Sequence, residues 1–379
     1  MTSPKTWVEI SRKAIISNVR MFKRHIGSEI ALMTVVKSNA YGHGLVPFAT
    51  VAAAAGTDWF GVDQLDEALA LRKAGIRQPI LVLGYTPPMR CIEAAKAHVS
   101  LTIYSKTVLS AIQKLSLTKR DRLRVHLEIE TGISRQGLAG TELIQLAKAL
   151  AKSPNVEIEG VFTHFANIED TTDSAYAEGQ LKRFSEAVFL LERNGISPPI
   201  RHTACSAAAI LFPKTLFTMA RVGISSYGFW PSKETQAVAQ RMKRPLVLSP
   251  VLSWKTVVAQ VKRVVEGTGI SYGLTERVTR DSTIAVIPVG YWDGFDRGLS
   301  RIGSVLIRGH RCKVLGRICM NMCMVDVTDV PGVREGQEVV IIGQQGKNRI
   351  QAEDLAAQIG TIQYEIVTRI NPLLPRFVV

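Results

Sequence analysis

The chain has 379 residues, 46% hydrophobic and 21% charged, which is typical of a globular protein long enough for two domains. It has no apolar run of membrane-spanning length, and its N-terminus, MTSPKTWVEISRK, has no apolar signal core, so we expect a cytoplasmic protein without a membrane anchor. The formal charge of +15 is spread evenly, without a basic run, which favours attraction of a carboxylate or phosphate ligand over nucleic acid.

The cysteines predict reduced thiols rather than a disulfide framework, because they are odd in number and scattered. They are Cys91, Cys205, Cys312, Cys319 and Cys323. The last two have neither the spacing of a zinc motif nor nearby histidines, so we expect no metal site.

Residues 11–24 predict a helix, with Ile15, Val19 and Phe22 on one face and Ser11 as its cap. Short apolar runs then alternate with amphipathic stretches. The runs are 30–36, 59–62, 79–83, 99–103, 124–129, 158–163, 200–204 and 217–222, and the stretches include 63–74, 105–116, 142–152 and 175–194. Strand followed by helix, repeated about eight times, predicts an α/β fold, a TIM-like (β/α)8 barrel. Because 59–62 and 217–222 are weak strand signals, a seven-stranded doubly wound sheet stays open.

The sequence pattern changes near Pro245. The β-rich runs after this point are 251–264, 283–289, 305–308, 312–318 and 338–342, and 352–359 is the one clear helix. This pattern predicts a C-terminal, mainly antiparallel β domain. With the boundary in 231–246, we expect a barrel over 1–240 and a β domain over 241–379, with residues 1–10 available to pair with the latter.

The stretch VVKSNAYGHG, residues 35–44, carries the strongest chemical signal. Lys37 follows an apolar run, where a lysine is costly unless its charge is used or removed. Lysine forms Schiff bases, and pyridoxal 5′-phosphate (PLP) is the usual aldehyde. Tyr41 is close enough in sequence to hold the same ligand, while Gly42 and Gly44 allow close backbone approach. A lysine that simply begins a polar loop is the alternative.

Other polar residues follow strand-like runs at the end of the barrel where active sites lie. These are Arg135, His164, Ser206 and Arg221. Each has an alternative interpretation: Arg135 as a surface charge, His164 as a core histidine, Ser206 as a helix cap and Arg221 as part of an ordinary ion pair. If each of these alternatives were correct independently, the four residues would have no reason to lie at the same end of the barrel. A shared site is therefore favoured.

The chemistry of PLP suggests roles for these residues. Its phosphate needs hydroxyls and backbone N–H groups, which Ser206, Tyr41, Gly223 and Ile224 could supply. His164 offers a flat partner for the ring. Arg221 beside the pyridine nitrogen would leave the ring neutral, because arginine does not accept a proton at neutral pH.

Taken together, these residues resemble the alanine racemases, PLP-dependent enzymes that interconvert L- and D-alanine. The similarity runs from TWVEISRKAI at 6–15 to YEIVTRI at 364–370. VVKSNAYGHG is its most specific motif, and RVGISSYG, GISYG at 269–273, GYWDG at 290–294 and GRICMNMCMVDV at 316–327 support it.

The resemblance implies that Lys37 binds PLP as an imine and that Tyr41, Ser206 and Tyr364 help to hold the phosphate. It implies Arg221 at the pyridine nitrogen, with His202 supporting that arginine and His164 along the ring.

It further implies a homodimer with shared active sites, in which Tyr272 of a second subunit faces Lys37 across the substrate. Tyr272 would take the proton from L-alanine and Lys37 from D-alanine. Arg135 would bind the substrate carboxylate, and Tyr291, Tyr364 and Met320 would narrow the entrance. The product would supply peptidoglycan.

Some positions depart from the family pattern. Glu128 stands where relatives often have a carboxylated lysine, and we hypothesise that it holds Arg135 directly. Asn321, Cys205 and Trp292 are further departures, which put the substrate range in question. A broad-specificity racemase is therefore an alternative, and a PLP-dependent decarboxylase or a non-catalytic PLP-binding protein is a less favoured one.

Overall fold

The computed structural model describes residues 4–113, 121–242 and 246–379. Its strands are β1 (Thr6–Ile10), β2 (Ala31–Val35), β3 (Trp59–Val62), β4 (Ile80–Val82), β5 (Ser100–Ile103), β6 (Leu123–Glu128), β7 (Val156–Phe162), β8 (Ile200–His202), β9 (Met219–Val222), β10 (Leu252–Val257), β11 (Gln260–Val264), β12 (Gly269–Ile270), β13 (Glu276–Arg277), β14 (Ser282–Ile287), β15 (Ser304–Ile307), β16 (His310–Leu315), β17 (Cys323–Asp326), β18 (Glu338–Gln345), β19 (Asn348–Ile350) and β20 (Arg376–Val378). Its helices are α1 (Arg12–Ile26), α2 (Lys37–Tyr41), α3 (Leu45–Ala55), α4 (Leu65–Lys73), α5 (Cys91–Lys96), α6 (Lys106–Gln113), α7 (Gly140–Ala151), α8 (Ala175–Arg193), α9 (Ser206–Leu211), α10 (Lys233–Ala239), α11 (Ala352–Gln358) and α12 (Gln363–Thr368).

The chain divides into two units. The first comprises residues 1–12, 41–47 and 251–379, and the second comprises residues 13–40 and 48–250. Residues 41–47 thus belong to the first unit although they lie between segments of the second in sequence. Of the predicted boundary region 231–246, residues 243–245 lie outside the described residues.

The second unit is built on eight parallel strands in the order β8-β7-β6-β5-β4-β3-β2-β9. The two ends of this sheet are joined by backbone bonds, since Thr218 N donates to the Arg201 carbonyl (3.1 Å) and Arg221 N donates to the Ala204 carbonyl (2.9 Å). The sheet therefore almost closes, which confirms the predicted TIM-like barrel. The doubly wound alternative is wrong, because the strands follow one another around the sheet without the reversal of order that such a fold requires.

The barrel strands and helices form where the apolar pattern predicts them. Strands such as β4 are buried throughout, as expected of parallel strands covered on both faces. The face of α1 that carries Ile15, Val19 and Phe22 is buried, and Gly27 with φ +91° ends the helix. Of the predicted helix 105–116, residues 114–116 lie outside the described part of the chain.

The first unit contains the mainly antiparallel sheet predicted for the C-terminal domain. Its main path is β11-β14-β17-β16-β15-β18-β10-β1-β20, and β1 pairs antiparallel with β10 and parallel with β20. The predicted run 251–264 is two strands, β10 and β11, because the chain turns at Val258 and Ala259 to pair with different neighbours. The short helix α12 was not predicted.

Within the described residues, no group of three or more histidine, cysteine, aspartate or glutamate side chains could hold a metal ion. All five cysteines are free thiols, three of them buried. None of the helices in the described ranges has the length and apolar character needed to cross a membrane.

Candidate active site

Lys37 lies just beyond β2 and begins α2, whose backbone is a single left-handed turn rather than a right-handed helix. Residues 38–41 have φ angles of 51° to 56°, a conformation that costs about 1–2 kcal/mol for each residue other than glycine. Bonds that hold the turn include one from Ala40 N to the Val36 carbonyl (2.8 Å) and one from Asn39 N to Glu67 Oε1 (3.3 Å). The backbone at Lys37 is therefore fixed by neighbouring structure rather than by its own preference.

The side chain of Lys37 forms an ion pair with Asp63, with Nζ 3.5 Å from Oδ1. Both side chains are more than a third exposed, at 37% and 44%, so the attraction is weak and either group is free to move. Sequence reasoning missed Asp63 and Glu67. A signal for Asp63 existed, because it directly follows the run 59–62 and so falls on the same rim as Lys37.

Arg221, the third residue of β9, is buried and bonded on both terminal nitrogens. Nη1 donates to His202 Nδ1 (2.7 Å) and to the His202 carbonyl (2.8 Å). Nη2 donates to the carbonyls of Thr163 (2.7 Å) and Thr203 (3.2 Å) and lies 3.3 Å from His164 Nδ1. No carboxylate of the described residues lies within 4 Å, and all the bonds that Arg221 makes to described residues come from its terminal nitrogens, none from Nε–H. The guanidinium is thus held by dipoles alone, with one donor left for a ligand.

The charges at this end of the barrel act on one another. Burial lowers the pKa of Arg221 to about 10, so the group stays charged at neutral pH. Burial, together with the positive charges of Arg221, Arg135 and Lys37, lowers the pKa of His164 to about 3. His164 therefore presents a neutral imidazole. The charges of Lys37, Arg135 and Arg221 therefore all act on the imidazole of His164.

Ser206 and Gly223 form a second polar group on the barrel. Ser206 begins α9 and is buried, and Cys205 rather than Ser206 occupies the position of the helix cap. Ser206 Oγ accepts a hydrogen bond from Gly223 N (3.0 Å), and Ile224 begins the 3₁₀ turn that follows. A hydroxyl and a backbone N–H group therefore meet here, bonded to each other.

Glu128 ends β6 and points into the buried interior. Burial raises the pKa of its carboxyl group to about 7, although the positive charges of Arg135 and Arg221 act in the opposite direction. Its Oε2 has no hydrogen-bond partner among the described residues, and no bond or ion pair within 4 Å joins it to Arg135. Arg135 lies in an exposed loop, so the direct bond hypothesised from the sequence is not formed in this structure.

In the first unit, Tyr272 lies on a strained loop with its side chain exposed. The tyrosine is 72% exposed, and its neighbours Ser271, Gly273 and Leu274 have φ angles of 67°, 73° and 46°. Ser271 Oγ donates to the Arg317 carbonyl (2.6 Å), which attaches this loop to the segment that leads to Met320.

Met320 and Tyr291 lie on adjoining loops of the same unit. Tyr291 N donates to the Cys319 carbonyl (3.1 Å) and Trp292 N donates to the Met320 carbonyl (3.0 Å). Tyr291 and Met320 are themselves 42% and 55% exposed. Three of the residues predicted from the sequence, Tyr272, Tyr291 and Met320, therefore share one exposed region.

Tyr41 and Tyr364 contact each other in the first unit, with ring centroids 6.2 Å apart. Beside this contact the backbones approach closely, and at Gly42 a Cβ atom would lie 1.9 Å from the Val367 carbonyl oxygen of α12. Arg376 donates to the Gly42 carbonyl through Nε (3.2 Å) and Nη2 (3.1 Å). The two tyrosines are thus carried by segments whose backbones lie close together.

Comparison with known proteins gives full-length matches. Residues 10–231 match the family model for the alanine racemase N-terminal domain, and residues 251–378 match that for the alanine racemase C-terminal domain. The chain is 42% identical over 372 residues to the alanine racemase of Symbiobacterium thermophilum, covering 98% of this chain and 96% of the relative. It is 40% identical over 371 residues to alanine racemase 1 of Oceanobacillus iheyensis, covering 98% and 97%. The crystal structure of alanine racemase from Bacillus anthracis with bound L-Ala-P aligns with a TM-score of 0.93 at 38% identity, covering 100% of this chain and 96% of the other.

Proposed function

Because this chain belongs to the alanine racemase family and is an amino-acid racemase, we propose that it interconverts L-alanine and D-alanine with bound PLP. The environment of Arg221 gives the strongest structural support. A buried arginine with one unused donor and no carboxylate beside it suits a neutral pyridine nitrogen, which needs a donor that keeps its own proton.

Other residues of the barrel also fit PLP. The neutral imidazole of His164 suits contact with a flat ring, and the group formed by Ser206, Gly223 and Ile224 suits phosphate oxygens. Lys37 would hold the cofactor covalently through its amine. When bound, PLP supplies an electron-accepting ring that makes the Cα–H bond of the substrate acidic.

We propose two bases, one on each face of the substrate Cα. Lys37, held by the left-handed turn, would take or return the proton on one face, and its weak ion pair with Asp63 leaves the amine free to move. Tyr272 would serve the other face through its phenolic oxygen. Its exposure on the first unit suits a side chain that completes the site of a second copy of this chain in a homodimer.

Substrate selection is proposed for three exposed side chains. Arg135, in the loop after β6, carries the positive charge that would bind the substrate carboxylate. Met320 and Tyr291, on adjoining loops, would narrow the entrance to favour a methyl group. We further propose a cytoplasmic enzyme whose D-alanine supplies peptidoglycan, which rests on the family resemblance alone.

Deuterium exchange tests this function. The PLP-loaded protein is incubated in D2O with L-alanine, D-alanine, L-serine, L-lysine and L-arginine, and α-deuterium uptake and chirality are followed. We expect exchange with inversion for alanine only. Comparable turnover of lysine or arginine would contradict the alanine preference, and no exchange with any amino acid would contradict racemase activity.

Tyr272→Phe separates the two bases. Loss of the phenolic oxygen should slow proton removal from L-alanine at least about 100-fold, because a positioned base contributes that much. Exchange from D-alanine by Lys37 should persist without inversion, which serves as the internal control for folding and cofactor binding. Equal losses from both enantiomers would contradict the assignment of one base to each face.

A further inference from the structure

A line of polar side chains crosses the barrel interior and ends at Arg221. Ser100 Oγ donates to Glu159 Oε2 (2.6 Å), which lies 3.3 Å from His126 Nε2. His126 Nδ1 lies 2.8 Å from His202 Nε2, and His202 Nδ1 lies 2.7 Å from Arg221 Nη1. Both histidines are fully buried, and the Glu159 side chain is 15% exposed. The line therefore joins the partly exposed Glu159 to the guanidinium of the candidate active site.

The hydrogen-bonding groups at the two ends of this line determine which nitrogen of each histidine carries the proton. Arginine has only donors, so His202 Nδ1 must accept, and a neutral His202 then carries its proton on Nε2. That proton points at His126 Nδ1, which must accept in turn, so His126 carries its proton on Nε2. His126 Nε2–H donates to Glu159, whose ionised carboxylate has only acceptors. One proton arrangement satisfies every bond.

Protonation of either ring would break this arrangement. A charged His202 would direct N–H at the guanidinium, and a charged His126 would direct Nδ1–H at the existing Nε2–H of His202. Burial and the charge of Arg221 also lower the pKa of His202, and burial lowers that of His126. Burial would raise the pKa of Glu159, but its bonds from His126 and Ser100 lower it overall. The line thus holds two neutral imidazoles between one negative and one positive charge.

The local fold is built around this line. The pairing of β6 with β7 shifts register between Val125 and His126, so that Val125 faces Ile158 and His126 faces Gly160. Glu159 is therefore the extra residue of a β-bulge, a feature that re-aims side chains. At Gly160 a Cβ atom would lie 2.4 Å from His126 Nδ1, so only glycine leaves room for this ring.

The His202 ring is also fixed from the side. Phe162 stacks on it with centroids 4.8 Å apart and planes at 14°, and the Arg221 guanidinium carbon lies 5.1 Å from the centre of the Phe162 ring. The ring therefore cannot turn to exchange its two nitrogens without disturbing Arg221.

We propose that Glu159 and His126 are positioning residues for Arg221. They fix the tautomer of His202 that accepts from Nη1, and so fix the direction of the remaining Nε–H donor. As a deepening of the proposed function, this inference rests on Arg221 meeting the pyridine nitrogen of PLP, while the tautomers themselves can be measured without any activity.

The first measurement is the tautomer of both histidines in the PLP-loaded protein and in the protein without PLP. Histidine is labelled with ¹⁵N, and the seven histidines are resolved by NMR, with His126→Asn and His202→Asn used for assignment. We expect both rings to be neutral and protonated on Nε2. A His202 ring protonated on Nδ1, or charged at pH 7, would overturn the proposal even if the protein is a racemase.

Glu159→Gln tests the acidic end of the line, because an amide can donate as well as accept and no longer fixes His126. We expect a mixture of tautomers at His126 and His202, a change in the absorbance of bound PLP and about a tenfold loss of kcat/KM for alanine. Unchanged tautomers and unchanged kinetics would contradict the proposal. If this variant does not fold, the wild-type tautomers decide the question.

Glu157→Gln is the matched control. Glu157 lies on the same strand, two residues away, and shares Arg124 as a neighbour at 4.0 Å against 3.9 Å for Glu159. It removes the same charge without touching His126. We expect wild-type tautomers and kcat/KM within about twofold, as for an exposed ion pair; a loss equal to that of Glu159→Gln would assign the effect to net charge and overturn the proposal.

Discussion

Arg221 Nη1 lies 2.7 Å from His202 Nδ1, with both side chains buried inside the barrel. Because the guanidinium can only donate, this short contact requires a neutral imidazole on the other side. Carbonyl groups of Thr163, His202 and Thr203 accept the other bonds from the terminal nitrogens. A positive charge is thus kept in the interior by dipoles, and no carboxylate of the described residues lies within 4 Å to compete for its free donor.

Replacing Arg221 with lysine tests this geometry. A lysine has three donors on one atom and cannot reach the acceptors now bonded to two separate nitrogens. We expect a lower melting temperature and a loss of racemase kcat/KM of about 10- to 100-fold, since buried acceptors lose their donors. Thermal unfolding and the racemisation assay measure both effects.

Arg201→Lys is the control for that substitution. Arg201 also lies on a barrel strand but pairs with Glu192 near the surface, with both side chains about a third exposed. We expect a change in stability below about 1 kcal/mol, the range of surface ion pairs. Equal effects of the two substitutions would show that the bonds from the two terminal nitrogens of Arg221 have no special role.

The buried histidines predict that acid destabilises the protein. The folded-state pKa values of His126, His202 and His164 are lowered below the unfolded value, so the unfolded chain binds more protons as pH falls. Each ring that stays neutral in the fold removes up to about 1.4 kcal/mol per pH unit below about pH 6.5. Urea unfolding at pH 7, 6 and 5 should therefore show a steep loss of stability.

Two substitutions test whether His164 contributes to this loss of stability with falling pH. His164→Asn should make the loss between pH 7 and pH 5 shallower, because one titrating ring is gone. His310→Asn removes an exposed histidine and should leave the slope as in the wild type. A slope that His164→Asn does not change would contradict a neutral His164 in the fold.

The sequence predicted the barrel well because each of its strands is a separate apolar run. Run 79–83, for example, contains β4, whose three residues are all buried. Strand prediction was less successful where the strand boundaries are set by backbone pairing rather than by the local apolar pattern. The run 251–264 has no internal break in its pattern, and only its pairing with two different strands divides it.

The site shows the same division. The order of strands around a barrel places Lys37, His164 and Arg221 near one end once the runs are identified. The left-handed turn at residues 38–41 was not predicted. Asparagine tolerates this conformation, but Ser38, Ala40 and Tyr41 do not favour it. One of the bonds that hold the turn comes from Glu67, far along the chain. The direct Glu128–Arg135 bond is not formed in this structure. The family resemblance identified both positions, but it does not give the distance between the end of β6 and the exposed loop that carries Arg135.

The buried carboxyl group of Glu128 predicts that stability falls as pH rises, which is opposite to the effect of the histidines. Its folded-state pKa is raised to about 7, so its contribution to stability is fully present below about pH 4.3 and is lost as pH rises through 7. Glu128→Gln keeps the side chain neutral at all pH values. At pH 8 we expect this variant to be about 2–3 kcal/mol more stable than the wild type, and at pH 5 the gain should be much smaller.

Unfolding by urea at both pH values measures this difference. Glu142→Gln on α7, with a side chain 62% exposed, is the control and should give no gain at pH 8. A Glu128→Gln gain that is equal at pH 5 and pH 8 would contradict the raised pKa, because a pH-independent gain reflects packing rather than charge.

Gly42 and Gly75 form a matched pair for the close approach beside Tyr41. Both have left-handed φ angles, +80° and +84°, so alanine at either position carries the same backbone cost of about 1 kcal/mol. At Gly75 nothing lies within 4 Å of an added Cβ, whereas at Gly42 the Val367 carbonyl oxygen lies 1.9 Å away. Gly42→Ala must therefore move α12 or the turn itself, and we expect a loss of about 3 kcal/mol or more in unfolding free energy. Equal losses in urea for the two variants would mean that the backbones separate at little cost, and the contact between Tyr41 and Tyr364 would then not depend on Gly42.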